Sequence, residues 1–329
     1  MRTLTRRTAL KHLPTLAVTL AAALTGTSAF AWTDKPIKLI VPAPAGGTMD
    51  VVARILAEQL SSDLKQPVIV DNKPGAGGAL AVQAMNAAPP DGQTLMVTAS
   101  NVITEIPHVM KTAFDPLKDI RPVATLARAG IVLVGAPGLP PDFKGLIAYL
   151  KANPGKLSFA SYSAGTSSHY AGMILNQKAG LDLTHVPFAG SPPALQQVMG
   201  GQIAIMFDGI VTSLPQIRGN KVQPYAVAAK TRSHHLPDVP TTAELGYPEL
   251  DFSNWLGTVV SANVPADLVE KISAATLKAA SSPKVRDRLV AAGFEPNTPL
   301  SPAELAKSVR ADYERNAAIV KAFNIQLNQ

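Results

Sequence analysis

The 329-residue chain contains no cysteine. That excludes thiolate metal sites, thiol chemistry, a lipidated cysteine anchor and a disulfide framework. Aromatic residues make up only 5% of the chain and charged residues only 16%. The few rings do not alternate with Lys and Arg, and the basic residues are scattered, so no nucleic-acid surface is indicated. A membrane-spanning run is also missing. The one apolar stretch, about Leu13 to Leu24, is broken by Pro14 and by threonines, and it falls short of the roughly 20 residues that a spanning helix needs. With no second long apolar run downstream, the exported chain is expected to be soluble and monomeric.

What the first 31 residues hold is a secretory signal. Arg2, Arg6, Arg7 and Lys11 form a basic start, the short apolar stretch follows, and Ala29-Phe30-Ala31 supplies a small-x-small cleavage site. The segment Thr5-Arg6-Arg7-Thr8-Ala9-Leu10-Lys11 also resembles a twin-arginine signal, with Ala9 where a bulky apolar residue is usual. Cleavage after Ala31 places the mature chain, starting at Trp32, in the periplasm. The signal takes four of the 30 basic residues and none of the 23 acidic ones. The mature chain is therefore close to neutral, and its length suits two domains.

The organising stretch is Val41 to Asp50, VPAPAGGTMD, between the apolar run Ile37 to Val41 and a helical pattern that carries Val52, Ile55, Leu56 and Leu60. A strand, a Pro/Gly loop and an amphipathic helix deliver backbone N–H groups to the positive end of that helix, which makes an anion seat. Gly46 and Gly47 allow close backbone approach, and Pro42 and Pro44 stiffen the loop. Alone, such a loop is as readily a structural turn with a helix cap. A second loop of the same character, Ser161 to His169 (SYSAGTSSH), tilts the reading towards ligand binding. It has five hydroxyl side chains besides Tyr162, one glycine and no acid, again before a helix.

Other motifs lead to chemistry less readily. Gly75 and Gly77 suggest a dinucleotide loop, but Leu80 stands where the fingerprint needs its third glycine. Ala99-Ser100-Asn101 closes a strand at Gln93 to Thr98 and should fall beside the first loops, since ligands in open α/β sheets gather at strand carboxyl ends. Ser168 and His169 are neighbours on a starting helix, where side chains diverge by about 100 degrees, so they form no nucleophile-base pair. His234 and His235 have no carboxylate at metal-ligand spacing and read as solvated. Two extended runs, Val123 to Leu126 and Ile131 to Val134, bracket Arg128-Ala129-Gly130 like a crossing between domains. A strand at Ile203 to Phe207 ends in Asp208, which either caps the next helix or faces the cleft. Trp255 to Val260 looks like the return crossing, and helices at about Ala266 to Ala280 and Pro302 to Ala322 should pack back on the first domain.

Seven segments together carry a resemblance: KPIKLIVPAPAGGTMDVVAR, NKPGAGG, PDGQTL, NPGKLSFASYSAGTSSHYAG, HVPFAGSPPAL, GGQIAIMFD and LPDVPTTAELG. In register over about Asp34 to Leu327, they resemble the Bug (TctC-type) periplasmic substrate-binding proteins of tripartite tricarboxylate transporters. The resemblance implies an α/β, two-lobed periplasmic-binding-protein-like (type II) fold with the cleft between lobes. Residues 32–127 and 259–329 would form lobe 1, and 128–258 lobe 2. It also implies that a small carboxylate is held by the two loops through backbone N–H groups, hydroxyls and waters, with no cofactor and no metal. The residues it points to are Ala43, Pro44, Gly46, Gly47, Thr48 and Asp50 in the first loop and Ala76 and Gly77 in the glycine turn. In the second lobe they are Gly165, Thr166, Ser167, Ser168, His169 and Asp208, to which Ser100 and Ser163 are added by position. Two departures stand out: Ala43 replaces a Phe or Tyr over the ligand, and Ala189 replaces a frequent Lys.

The resemblance implies a receptor for a small organic acid that hands it to membrane permease subunits. The alternative is a periplasmic sensor that reports to a signalling partner without transport. An enzyme fits least, since the sequence places no nucleophile-base pair, metal set or cofactor fingerprint.

Overall fold

The structure is a computed structural model that describes residues 32–295 and 299–326. The signal segment and its cleavage site lie outside the described residues. In chain order the first elements are β1 (Ile37–Val41), α1 (Thr48–Leu64), β2 (Val68–Asn72), a short 3-10 turn (Ala76–Gly78), α2 (Ala79–Asn86), β3 (Thr94–Ala99) and α3 (Ser100–Thr104). β1 reads IKLIV with all but Lys38 buried, as expected for a parallel strand covered by helices on both faces. α1 turns Val52, Ile55, Leu56 and Leu60 inward at helical spacing, and Lys65 in the left-handed region ends it.

A second 3-10 turn (Ile106–His108) leads into β4 (Ile120–Gly135), α4 (Phe143–Lys151), β5 (Leu157–Ser161), α5 (Ser167–Lys178), β6 (Leu183–Pro187), α6 (Ser191–Met199), β7 (Ile205–Gly209), α7 (Ile210–Arg218) and β8 (Gln223–Val227). The chain closes with β9 (Ser253–Ser261), α8 (Ala266–Ser281), α9 (Pro283–Ala291) and α10 (Pro302–Ala322).

These strands build two sheets that share β4. In the first, β1 pairs in parallel with β2 and β3, and β9 runs antiparallel between β3 and the first part of β4. In the second, β5 pairs in parallel with β6 and β7, and the end of β4 runs antiparallel to β7 and β8. Separate apolar clusters cover the sheets, one around Leu39, Leu56 and Leu256 and one around Phe159, Tyr170 and Phe252.

Several expectations need correction. The two extended runs around Arg128-Ala129-Gly130 are one continuous strand, because Arg128, Ala129 and Gly130 pair with Trp255, Asn254 and Ser253 while the next residue, Ile131, pairs with Gly209. The partner changes there, and the strand does not break. Asp208 lies at the C-terminal edge of β7 as expected, but the strand runs Ile205–Gly209, two residues later than Ile203 to Phe207. Helix α9 was not foreseen, although Ser282 caps it by accepting the Val285 amide and Pro283 opens it. Finally, α10 does not pack on the first domain alone. Leu305 and Val309 join the Trp255 cluster, whereas Ile319, Val320 and Phe323 pack against the Phe159 cluster of the second sheet.

Candidate ligand cleft

Between the two sheets lies a cavity of about 330 Å³. The first-sheet side supplies Pro42, Ala43, Pro44, Gly47, Thr48 and Met49, the 74–78 glycine turn, and Asn101, Val102, Ile106 and Met110. The second supplies Tyr162, Ser163, Ala164, Thr166, Gly209 and the 187–191 turn, with Ala129, Gly130, Asn254 and Leu256 at the crossing strands. Among the described residues, no charged side chain lines this cavity.

Three glycines mark where the two sides meet. A Cβ built on Gly190 would lie 2.4 Å from Pro44 Cγ, one on Gly209 would lie 2.8 Å from Thr48 Oγ1, and one on Gly165 would lie 2.6 Å from Val109 Cγ2. Gly190 and Gly165 also have positive φ, at 125° and 78°, a region that favours glycine.

The first loop is braced from behind by Asp50. Its buried carboxylate accepts from the Gly46 amide (2.9 Å), Arg54 Nε (2.8 Å) and Asn72 Nδ2 (2.9 Å), and Asn72 Nδ2 also donates to Ala43 O. Burial pushes the Asp50 carboxyl up, but the hydrogen bonds from Arg54, Gly46 and Asn72 outweigh it and hold it below the ordinary carboxylate range. Helix α1 starts after Gly47, which has no side chain to cap it. The first-turn amides of Thr48 and Met49 thus end at the cavity wall without a capping side chain.

The second loop is largely bonded to itself and to the first lobe. The Gly165 amide donates to His169 Nδ1, Thr166 Oγ1 to Ser163 O, and Ser168 Oγ to Phe207 O. Ser168 and His169 therefore do not pair with each other. His169 stacks on His185 at 4.1 Å between centroids, and Ser161 Oγ lies 2.7 Å from His185 Nε2. Burial lowers His169 to about 4; burial, with His169 beside it, lowers His185 to about 3.

The start of α5 is occupied by a residue that the sequence did not point to. Both the amide and the hydroxyl of Ser167 donate to the Glu105 carboxylate, each at 2.5 Å. Asn254 Nδ2 donates to Ser167 Oγ (3.0 Å), Ser100 Oγ to Asn254 Oδ1 (2.7 Å), and Tyr170 OH to the Glu105 carbonyl (2.8 Å). Glu105 is 2% exposed. Burial raises its carboxyl to about 7 against the lowering pull of Ser167 and Arg315.

Eight of the expected site residues line the cavity: Ala43, Pro44, Gly47, Thr48, Ala76, Gly77, Ser163 and Thr166. The exposed Gly46 and the buried Asp50, Ser100, Gly165, Ser167, Ser168, His169 and Asp208 do not line it. Asp208 accepts from Thr212 and Ser213 at 2.7 Å each and so ties β7 to the first turn of α7. Its burial raises the carboxyl despite those hydroxyls. The structure adds Asn101, Tyr162, Ser191 and Asn254 to the wall. Asn101 is 3% exposed, and its amide oxygen has no hydrogen-bond partner. Its place beside Ser100 was readable, but which of the two would face the cavity depends on where α3 begins. His235, expected to be solvated, is half-buried with Nε2 at 2.9 Å from Phe294 O.

Two α/β sheets with their own cores, joined by strands that cross between them and meeting over a neutral cleft, define a two-lobed periplasmic solute-binding protein. Residues 52–325 match the model of the tripartite tricarboxylate transporter family receptor, and the chain belongs to that family. BugT of Bordetella pertussis is 31% identical over 303 residues, covering 91% of this chain and 93% of that protein. A solved periplasmic transporter is 36% identical with a TM-score of 0.85, over 91% of this chain and 100% of that one. MatC of Rhodopseudomonas palustris, solved with bound malate, is 33% identical with a TM-score of 0.81, over 87% and 99%.

Proposed function

We propose that this protein is a periplasmic receptor that captures a small carboxylic acid between its lobes and presents it to a membrane permease. The observation that carries the reading is a cavity with no charged side chain among the described residues, on whose wall helix starts and neutral polar side chains converge. Thr48 and Met49 start α1 on one side; Gly190 and Ser191 start α6 on the other, and neither helix has a side-chain cap. Asn101, whose buried amide oxygen has no hydrogen-bond partner, adds a neutral polar side chain to the wall. The malate bound by MatC supports a carboxylate as the ligand.

Helix N-termini contribute about 0.3 to 1 kcal/mol each at exposed sites and up to about 2 when partly buried. Micromolar binding needs about 8 kcal/mol. Neutral hydrogen bonds, at about 0.5 to 1.5 kcal/mol each, and burial of the ligand's body must supply the rest. The walls suit that body. Val102, Ile106, Met110 and Leu256 are apolar, and Ala43 leaves room where the family resemblance implies a ring. The cleft therefore suits an acid with an apolar body and has room for a branched or aromatic one.

A thermal-shift screen of acids beside their amides tests this, because a ligand well above its Kd raises the melting temperature. Acids should stabilise and their amides should not. Equal stabilisation by the amides would refute the carboxylate reading.

A further inference from the structure

We propose that Glu105 is a specificity-determining residue: a resident carboxylate that occupies the start of α5 and makes the cleft select monocarboxylates over dicarboxylates. The inference rests on the carboxylate reading above and narrows it.

The cleft faces the N-terminal ends of five helices: α1 and α2 from the first sheet, and α5, α6 and α7 from the second. At the start of α2 the Ala79 amide is bonded to Ala76 O, and Asp208 already sits at the start of α7, accepting from Thr212 and Ser213. An acid with one carboxylate needs one such end, and a diacid needs two. Helix α6 begins Ser191-Pro192-Pro193, so its second and third positions have no N–H to offer. The end of α5 would be the natural second seat, with Thr166 on the cavity wall and hydroxyls on both following residues. It is filled from within the protein. Glu105 takes the Ser167 amide and hydroxyl together, and Asn254, itself on the cavity wall, turns its Nδ2 to the same hydroxyl.

Glu105 lies one side-chain layer behind the cavity, between wall residues on both flanks. Ile106 follows it in the chain, and Thr166 precedes its partner Ser167. The wall at that end carries no charge: Val102, Ile106 and Met110 stand beside the neutral Asn101, Thr166 and Asn254. A second carboxylate reaching there would lose water, meet no free helix amide and face a like charge. A methyl or phenyl terminus would meet Val102, Ile106 and Met110 and no like charge. The charged and titratable groups around Glu105 are Arg315 and Asp312 on α10, Tyr162 after β5 and Tyr170 on α5. Arg315 favours its ionised form, whereas burial and Asp312 oppose it, so its charge is lost over the neutral range. Discrimination against diacids should follow that charge, whereas a residue that merely held the loop in place would give none.

The test is calorimetric titration of the wild-type protein and Glu105→Gln with hexanoate and adipate at pH 6.5 and 8. Both acids have six carbons, and their carboxyls are ionised across this range. In the wild type, hexanoate should bind about tenfold or more tightly than adipate at pH 8, with a smaller ratio at pH 6.5. In Glu105→Gln, which keeps the side-chain shape and can still accept the Ser167 amide on Oε1 while its Nε2 donates to the Ser167 hydroxyl, the ratio at pH 8 should shrink and its pH dependence should vanish. Adipate binding as tightly as hexanoate to the wild type at pH 8 would overturn the proposal while leaving the carboxylate reading intact; so would a ratio in folded Glu105→Gln identical to that of the wild type. If the variant does not fold, the pH dependence of the wild-type ratio decides alone. Hexanamide binding as tightly as hexanoate, or no binding of either acid at millimolar concentration, would remove the carboxylate reading and this proposal with it.

Discussion

Replacing Glu105 by Gln should change folding stability in a pH-dependent way whose size follows from burial. The Glu105 carboxyl titrates at about 7 in the folded protein against an ordinary 4.5. Because the folded pKa is raised, the native state holds a proton that the unfolded chain releases. The group's favourable contribution is complete below pH 4.5 and is lost as pH rises through about 7. At about 1.4 kcal/mol per pH unit, that window costs the wild type roughly 3 kcal/mol, a large share of a typical 5 to 15 kcal/mol. His169 and His185 act in the opposite direction. Their folded values are depressed to about 4 and 3, so their contribution is full above the ordinary 6.5 and is lost as pH falls towards those values. The wild-type curve is therefore a composite, and the variant isolates one component. Urea unfolding of both proteins from pH 4.5 to 8, followed by circular dichroism, should show the variant gaining about 3 kcal/mol on the wild type across that range. A stability difference that stays flat with pH would refute the assignment of a buried, half-titrated carboxyl to Glu105.

Two further substitutions test the cleft. Gly209 has φ of −60°, which any residue adopts, yet its Cβ would lie 2.8 Å from Thr48 Oγ1 across the lobes. Gly209→Ala should prop the cleft open, weaken ligand binding by an overpacking cost of about 1 to 3 kcal/mol, and abolish compaction on ligand addition in small-angle scattering; compaction equal to wild type would count against lobe contact at this point. Ala43→Phe should fill the space beside Met49 and lower affinity for acids with bulky bodies by about tenfold, or 1.4 kcal/mol, while small acids keep theirs. An equal loss for both in titration calorimetry would mean that the ring blocks entry and does not shape the pocket.

The strand-loop-helix units at 37–64 and 157–178 were legible because local periodicity and Pro/Gly punctuation specify them within a short window. The types of residue at the cleft were legible for the same reason. Their directions were not. Ser167 and Ser168 are hydroxyls in a ligand loop by sequence, but their partners are Glu105, 62 residues earlier, and Phe207, 39 residues later. Nothing near Glu105 in TEIPH marks it as the anion that fills that loop. Asp50 shows the converse: an acid at a helix start was read as a ligand contact, and its real partners are Gly46, Arg54 and Asn72. The continuous β4 was hidden because Arg128-Ala129-Gly130 looks punctuated, and only pairing with β9, about 125 residues later, carries the strand through.

That central place of β9 sets the order in which the molecule can be assembled. The first sheet is in two pieces until Ser253–Ser261 lies down between β3 and β4, whereas all the strands of the second sheet are present once Val227 has been made. Loop closure over so long a separation makes the first sheet the slow one. The lobe that begins the chain is therefore the last to be completed, and α10, resting on both cores, can dock only after both exist. A newly exported chain cut short before residue 253 would carry a fully stranded second lobe and an unfinished first one, with no cleft between them.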